Sequence, residues 1–175
     1  MSGIIIYKSK YGSSKKYAEW LSEKTGYKYI EISKVKTDNL KNYDTIILGS
    51  GIYMSKLSIN KFVENNFDFL KIKNTFVFGV GLCPYEDANI QTIKNNSFNH
   101  ISFNLPFVYC RGSINIDSMK FLDKILCKML KKAVLNKPAS DRNLLESTIA
   151  ETKEGDNDWT DKNFLNPILE SLDLI

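Results

Sequence analysis

The sequence has 175 residues, 43% of them hydrophobic, which suits one compact domain and is too apolar for a disordered chain. The net charge of +4 conceals a division: residues 138–175 hold three basic and nine acidic side chains, a net of −6, and residues 1–137 hold 21 and 11, a net of +10. Cys83, Cys110 and Cys127 are widely spaced with no Cys-x-x-Cys, and His100 is the lone histidine, which argues against a disulfide framework, a zinc site or a Ser-His-Asp triad.

In chain order, the segment Met1 to Tyr7 lacks the basic and long apolar regions of a signal peptide. Ile4 to Tyr7 is the first strand candidate. Thr45 to Leu48 and Thr75 to Val80 are the other strong ones, with Tyr27 to Ile32 and Leu105 to Cys110 weaker. The strong runs are continuous rather than alternating, as expected for strands covered on both faces. Between them, Ser13 or Ser14 can cap a helix carrying Tyr17, Ala18 and Leu21 on one face, with Gly26 as its C-cap. Ile59, Phe62, Val63 and Phe67 repeat at helical spacing, and Asp87 opens a shorter helix through Ile90 and Ile93. His100 sits in a polar stretch and reads as a surface or packing histidine. A basic amphipathic helix is expected over 119–135, a polar surface connection over 136–158, and a C-terminal helix over 160–172. No run approaches the roughly 18 to 20 apolar residues that a spanning helix needs, so the expected compartment is the cytoplasm. The alternation of strands and helices predicts a doubly wound α/β sheet in one domain, residues 1–175.

In such sheets, ligands bind beyond the carboxyl ends of the strands, at the point where strand order reverses. After the first strand stands Ser9-Lys10-Tyr11-Gly12-Ser13-Ser14, where hydroxyls and free amides meet the start of a helix. That composition favours a phosphate site over an ordinary serine-capped helix. It is not a Walker A loop, because Gly-x-x-x-x-Gly-Lys-Ser/Thr does not occur. The loops after the next two strong strands begin Gly49-Ser50-Gly51-Ile52-Tyr53-Met54 and Gly79-Val80-Gly81-Leu82-Cys83-Pro84-Tyr85. Neither completes a dinucleotide fingerprint. Both place small residues beside an aromatic, as a flat ligand requires, although glycine-relieved turns with surface tyrosines would look the same. A phosphoacceptor receiver domain shares the topology but needs carboxylates at the strand ends, and here the first strand ends Tyr7-Lys8-Ser9.

Together these loops resemble the flavodoxin superfamily, which implies a five-stranded parallel sheet in the order 2-1-3-4-5 and FMN as cofactor. That order follows from the family, for which it is characteristic, and not from the residues themselves. The resemblance places the FMN phosphate on Ser9, Lys10, Tyr11, Gly12, Ser13 and Ser14. It places the ring between Ser50, Gly51, Ile52, Tyr53 and Met54 on one side and Gly81, Leu82, Cys83 and Tyr85 on the other, with no catalytic side chain and no metal. A closer resemblance is to the bacterial flavodoxin-like, menaquinone-dependent protoporphyrinogen oxidases (dehydrogenases). It rests on residues 9–16 with Ala18, on Asn42-Tyr43-Asp44 leading to Gly49–Tyr53, on Arg111-Gly112-Ser113 leading to Phe121–Lys124, and on Asp158-Trp159 opening the final helix. Cys83-Pro84-Tyr85-Glu86-Asp87 departs from the basic-proline-acidic stretch of that subgroup, and Ser55-Lys56-Leu57 also differs.

The resemblance implies a tetrapyrrole substrate and a quinone acceptor. The alternative is an electron-carrier flavodoxin with redox-protein partners and no substrate of its own, although carriers are usually acidic and residues 1–137 are not. A third reading is a degenerate paralogue that binds FMN in a regulatory or quinone-reducing role. No nucleic-acid partner is expected. In the basic helix, apolar residues recur from Phe121 to Val134, and Lys120, Lys124, Lys128, Lys131 and Lys132 occupy the other faces. The plainer expectation packs its apolar stripe on the core. The other is an interfacial helix at the inner face of a membrane.

Overall fold

Continuous apolar runs become strands whose side chains alternate between two covered faces. The computed structural model describes residues 2–99 and 105–175, so His100 lies outside the described residues. The chain runs β1 (Gly3–Lys8), α1 (Ser13–Thr25), β2 (Lys28–Glu31), β3 (Thr45–Tyr53), β4 (Lys56–Leu57), α2 (Asn60–Asn65) and α3 (Phe67–Leu70). It continues through β5 (Asn74–Gly81), α4 (Asp87–Phe98), β6 (Phe107–Arg111), β7 (Ser113–Ile114), α5 (Phe121–Leu135), α6 (Leu144–Glu151), β8 (Asn157–Asp158) and α7 (Asn166–Glu170). The five long strands are parallel in the order β2-β1-β3-β5-β6, the expected doubly wound order once the short β4 is set aside. In β1, Ile4 and Ile6 join the apolar cluster with Leu40, Leu57, Val63 and Ile90. Ile5 points to the opposite cluster, with Tyr17, Ala18 and Leu21 of α1 and Leu165 and Ile168 near the C-terminus. That alternation buries both faces.

Several local expectations change. The strand expected over 45–48 runs on to Tyr53, and β4 folds back antiparallel on its end, pairing Ile52 with Leu57 and Tyr53 with Lys56. Met54 and Ser55 form the two-residue turn with φ of 50° and 55°. A turn with both residues left-handed matches the twist of a hairpin, but it usually carries glycine or asparagine, so Met-Ser gave no signal. Gly49 lies inside the strand, paired with Tyr7 and Phe78, and is glycine there because the Phe78 ring crosses it and would collide with any Cβ. The N-cap of α1 is Gly12, with no side-chain cap, rather than Ser13 or Ser14. Gly26 does end α1 in the left-handed conformation, at φ 71°. The helical repeat through Phe67 is split at Asn66, whose side-chain amide donates to the Phe62 carbonyl (2.8 Å).

The expected surface connection over 136–158 contains α6, opened by a reciprocal cap. Asn143 Oδ1 accepts from the Glu146 N–H, and Glu146 Oε2 accepts from the Asn143 N–H, both at 2.9 Å. The expected C-terminal helix shortens to a 3-10 turn over Lys162–Leu165 followed by α7, with Pro167 in its first turn. Asp158-Trp159 therefore does not open a helix. Asn157–Asp158 is a strand paired with β7, and the Trp159 N–H donates to the Gly112 carbonyl (3.2 Å).

Lys16 fastens this segment to α1, with Nζ 2.8 Å from Asp158 and 2.7 Å from the Thr160 hydroxyl. Burial acts against the Asp158 charge. The Lys16 ammonium and the Thr160 hydroxyl and N–H outweigh it and hold the carboxyl below the usual aspartate range. A depressed carboxylate stabilises the fold above its unfolded pKa, and that contribution disappears as pH falls through the folded value. Asp158→Asn should therefore cost less than about 1 kcal/mol at neutral pH, the pair being half exposed. Thermal melts in acid should show the difference vanishing below the ordinary aspartate range.

The Thr45 hydroxyl is buried and is the one side-chain polar atom so buried without a partner among the described residues. Thr45→Val is expected to raise stability by about 1 kcal/mol in urea melts, since an orphaned buried hydroxyl carries a desolvation cost that a methyl does not.

The largest departure is α5. The plainer expectation packs its apolar stripe on the core, but Phe121 and Leu122 are 76% and 72% exposed, and Leu126 and Met129 are 64% and 65%. Only Val134 is buried, and the closest packing of α5 is with α6.

Candidate functional site

At the carboxyl edge of the sheet, the loop after β1 turns through Gly12 into α1. Gly12 has φ 97° and ψ −31°, a conformation for glycine, and a Cβ built on it would meet nothing within 4 Å. Its N–H donates to Ser9 Oγ (3.1 Å), and its carbonyl accepts from the Lys16 N–H (2.9 Å). The first-turn amides of α1 have no intrahelical acceptor, and no acidic side chain in that turn offsets the positive end of the helix. Ser14 is buried beneath them. The Ser13 hydroxyl is engaged elsewhere, 2.9 Å from Ser113 Oγ, and accepts from the Ser113 N–H at 3.2 Å. This end of the site can hold a compact anion such as a phosphate.

Lys10 and Tyr11 lean toward the first turn of α5. Lys10 Nζ lies 2.6 Å from Asp123, and the Tyr11 hydroxyl donates to the same carboxylate. The hydrogen bonds from Lys10 and Tyr11 hold the Asp123 carboxyl below the usual range, and the bond to Asp123 holds the Lys10 ammonium above its own. In the sequence, Asp123 stands out only as the single acid of a basic helix. Its partners on the loop after β1 lie more than a hundred residues away, so spacing carried no signal for the pair.

The ends of β3 and β5 are more tightly committed than a loop reading implies. Ser50 is fully buried within the ladder, opposite Lys8 of β1 and Gly79 of β5, and its Oγ accepts from the Ile59 N–H (3.3 Å). The Gly51 carbonyl accepts from the Ser58 N–H (3.0 Å), and the Tyr53 ring lies against Gly51. Lys8 Nζ donates to the Ser58 carbonyl (2.9 Å) and ties the hairpin to β1. Ile52 is half-buried, Tyr53 is 44% exposed, and Met54 stands at the tip, 99% exposed. Burial raises the Tyr53 hydroxyl pKa, and Lys10 and Asp123 are near enough to act on it electrostatically.

From the last residue of β5 onward, the carbonyls of three successive residues are held by β6 and its sequel. Gly81 accepts from the Gly112 N–H (2.7 Å), Leu82 from Arg111 Nε (3.1 Å) and Cys83 from the Tyr109 hydroxyl (2.7 Å). Tyr109 also fills the space where a Cβ on Gly81 would go. Tyr85 is 60% exposed, stands edge-on to Tyr109 with centroids 6.2 Å apart, and donates to Asp87 (2.8 Å). Burial pushes the Cys83 and Cys110 thiols up, which keeps both protonated and poor nucleophiles.

The loop after β1, the hairpin after β3 and the start of α5 thus come together, and the loop after β5 is fixed by β6. Tyr53 and Tyr85 do not pack on one another: one ring lies against Gly51 and the other against Tyr109. Both leave aromatic surface open on the edge that carries the anion cradle. A cavity of about 250 Å³ lies elsewhere, lined by Ile4, Ile30, Val35, Leu40 and Tyr43 near the other end of β1.

Residues 4–141 match the family model described as flavodoxin domain. Over an alignment of 92 residues, which covers 49% of this chain and 57% of the relative, the sequence is 34% identical to an uncharacterized protein of Methanocaldococcus jannaschii. The chain thus spans little more than half the length of that curated relative. Among solved structures, a flavodoxin from the domain Archaea aligns with a TM-score of 0.45 and 19% identity, over 74% of this chain and 92% of that one. Flavodoxin 2 from Bacillus cereus aligns at 0.43 and 18%, over 86% and 99%. A Fusobacterium nucleatum flavodoxin bound to flavin mononucleotide aligns at 0.39 and 13%, over 69% and 75%.

Proposed function

The chain belongs to the flavodoxin domain family, and on that premise we propose that it is a redox flavoprotein holding FMN at the carboxyl edge of its sheet. The observation that carries this reading is the start of α1: first-turn amides without an intrahelical acceptor, a positive helix end with no acidic side chain in its first turn, and Gly12 with φ in the left-handed region. Those amides, with Ser9 and Ser14, suit a phosphate monoester. Tyr85 and Tyr53 or Ile52 suit the faces of a flat ring. Ser50 and Gly51 are engaged in the sheet and hairpin, and the carbonyls of Leu82 and Cys83 are held by β6. The polar edge of the ring therefore falls to main-chain N–H groups over residues 82–86, which lie outside any strand or helix. Bound FMN supplies electron and hydride transfer, and the chain's part is to bind, orient and tune it. The raised pKa values of Cys83, Tyr53 and Tyr85 leave these side chains neutral beside it.

Riboflavin lacks the phosphate. If the cradle carries the affinity, FMN will bind at least about tenfold more tightly than riboflavin, as expected for losing charge-assisted hydrogen bonds. Equal affinity would move the site away from α1.

Two finer readings divide on the substrate. Oxidation of a reduced tetrapyrrole such as protoporphyrinogen, with electrons passed to a quinone, is favoured by the resemblance through Arg111-Gly112-Ser113 and by the extra helix α5. An electron carrier with redox-protein partners is favoured by family membership alone. Anaerobic turnover of the flavin-loaded chain with protoporphyrinogen and a menaquinone analogue decides. Turnover supports the enzyme reading, and none leaves the carrier.

A further inference from the structure

α5 has two faces with different employment. Val134 is 2% exposed, Lys131 Nζ donates to the Thr152 carbonyl (2.6 Å), and Asp123 binds Lys10 and Tyr11. Cys127 is half-buried on the same line. Residues 123, 127, 131 and 134 fall along one side of a helix, so these contacts fix how α5 is turned. The side away from them carries Leu122, Ile125, Leu126 and Met129, all exposed, with Phe121 at its edge. At 100° per residue, Lys128 and Lys132 come beside Phe121 and Ile125 along that edge, and Lys120 stands at the helix start. Over residues 117–135 five lysines stand against Asp117 and Asp123, a net of +3. Lys124 and Lys128 share Asp117, at 3.2 and 3.1 Å, and Lys132 has no acidic partner among the described residues.

We propose that α5 is an in-plane anchor that seats the chain on a membrane surface carrying anionic lipid. Its 15 residues extend about 22 Å, and among the described residues no helix is long and apolar enough to cross a bilayer. An apolar face edged by lysines, oriented outward by a fixed inner face, lies in the headgroup region with its lysines at the phosphates. A second copy is the poorer occupant, because pairing two such ridges would bring two segments of net +3 together. The stripe is also a convex ridge rather than a groove, and a fluid surface can enclose a ridge without a complementary shape. Asp123 links the start of α5 to the loop after β1, and Tyr53 is electrostatically coupled to the same pair. The loop after β1 belongs to the candidate site, so docking through α5 also fixes that site relative to the membrane surface. The docking itself does not require that site to hold flavin.

Flotation of the full chain with phosphatidylcholine vesicles, with and without phosphatidylglycerol, tests the proposal. The chain is expected to float with the anionic vesicles and to be released by high salt. Lys128→Glu with Lys132→Glu should weaken binding at least about tenfold. Leu122→Ser, Leu126→Ser and Met129→Ser together should abolish it while lowering the thermal melt only slightly, since all three are largely exposed. As a second readout, Leu126→Trp should shift its fluorescence to the blue on anionic vesicles alone. Failure to float with anionic vesicles, or equal flotation of wild type and variants, would overturn the proposal. So would a solution dimer that the serine variant converts to monomer, which would make a second copy the occupant.

Discussion

Replacing Gly12 with valine is expected to weaken FMN binding by at least about tenfold and to destabilise the fold by about 1 to 3 kcal/mol. Nothing lies within 4 Å of a Cβ at this position, so the effect is not a clash. It arises because φ of 97° with ψ −31° is hostile to a β-branched residue, and the turn must move to relieve the strain. That movement breaks the bond from the Gly12 N–H to Ser9 Oγ and changes the aim of the first-turn amides of α1. Fluorescence-quenching titration gives the affinity, and a urea melt gives the stability. A variant that binds FMN as tightly as wild type would detach the cofactor from this turn.

The second large effect is expected at Tyr17. Its ring is fully buried between α1 and the sheet, edge-on to Trp20 at 5.3 Å and 6.3 Å from Phe78. Its hydroxyl donates to the Arg111 carbonyl (2.6 Å) and accepts from the Asp161 N–H (3.1 Å). One side chain thus joins α1, the end of β6 and the segment leading to α7. Burial raises its pKa far above the ordinary tyrosine value, so it stays neutral and remains a donor. Tyr17→Ala should cost about 3 to 5 kcal/mol from the cavity and lost contacts. Tyr17→Phe keeps the packing and strands two backbone partners, costing about 1 to 3 kcal/mol. Hydrogen exchange should then rise first at residues 161–169, where the tether is lost. A phenylalanine variant as stable as wild type would show that the hydroxyl bonds add nothing.

How much of this was readable in the sequence depended on whether a feature was local. Ile4–Tyr7, Thr45–Leu48 and Thr75–Val80 announced β1, β3 and β5 because a doubly covered strand is apolar at every position. Gly26 announced the end of α1 because a left-handed cap has a residue preference. The hairpin at Met54-Ser55 was hidden because neither residue is the one such a turn prefers. Its extension of β3 also commits Ser50 and Gly51, which a loop reading leaves free. The period of α5 revealed its stripe but not its direction. That direction is set by Asp123, Lys131 and Val134, whose partners are distant in sequence or on another helix. The cap of α6 was readable in Asn143-x-x-Glu146, although the polar composition around it suggested a connection instead. The candidate site was legible as three loops at strand ends. Its bonds to α5 and β6 were not, because the fold alone brings those elements together.

If the start of α1 cradles the phosphate of FMN, the most direct test is titration of the flavin-free full chain with FMN. Quenching of flavin fluorescence and the visible spectrum both report on it. The expected result is a yellow protein that saturates at one FMN per chain, with the affinity sharply reduced in Gly12→Val. A chain that stays colourless and leaves flavin fluorescence unchanged would contradict the proposed site and function together.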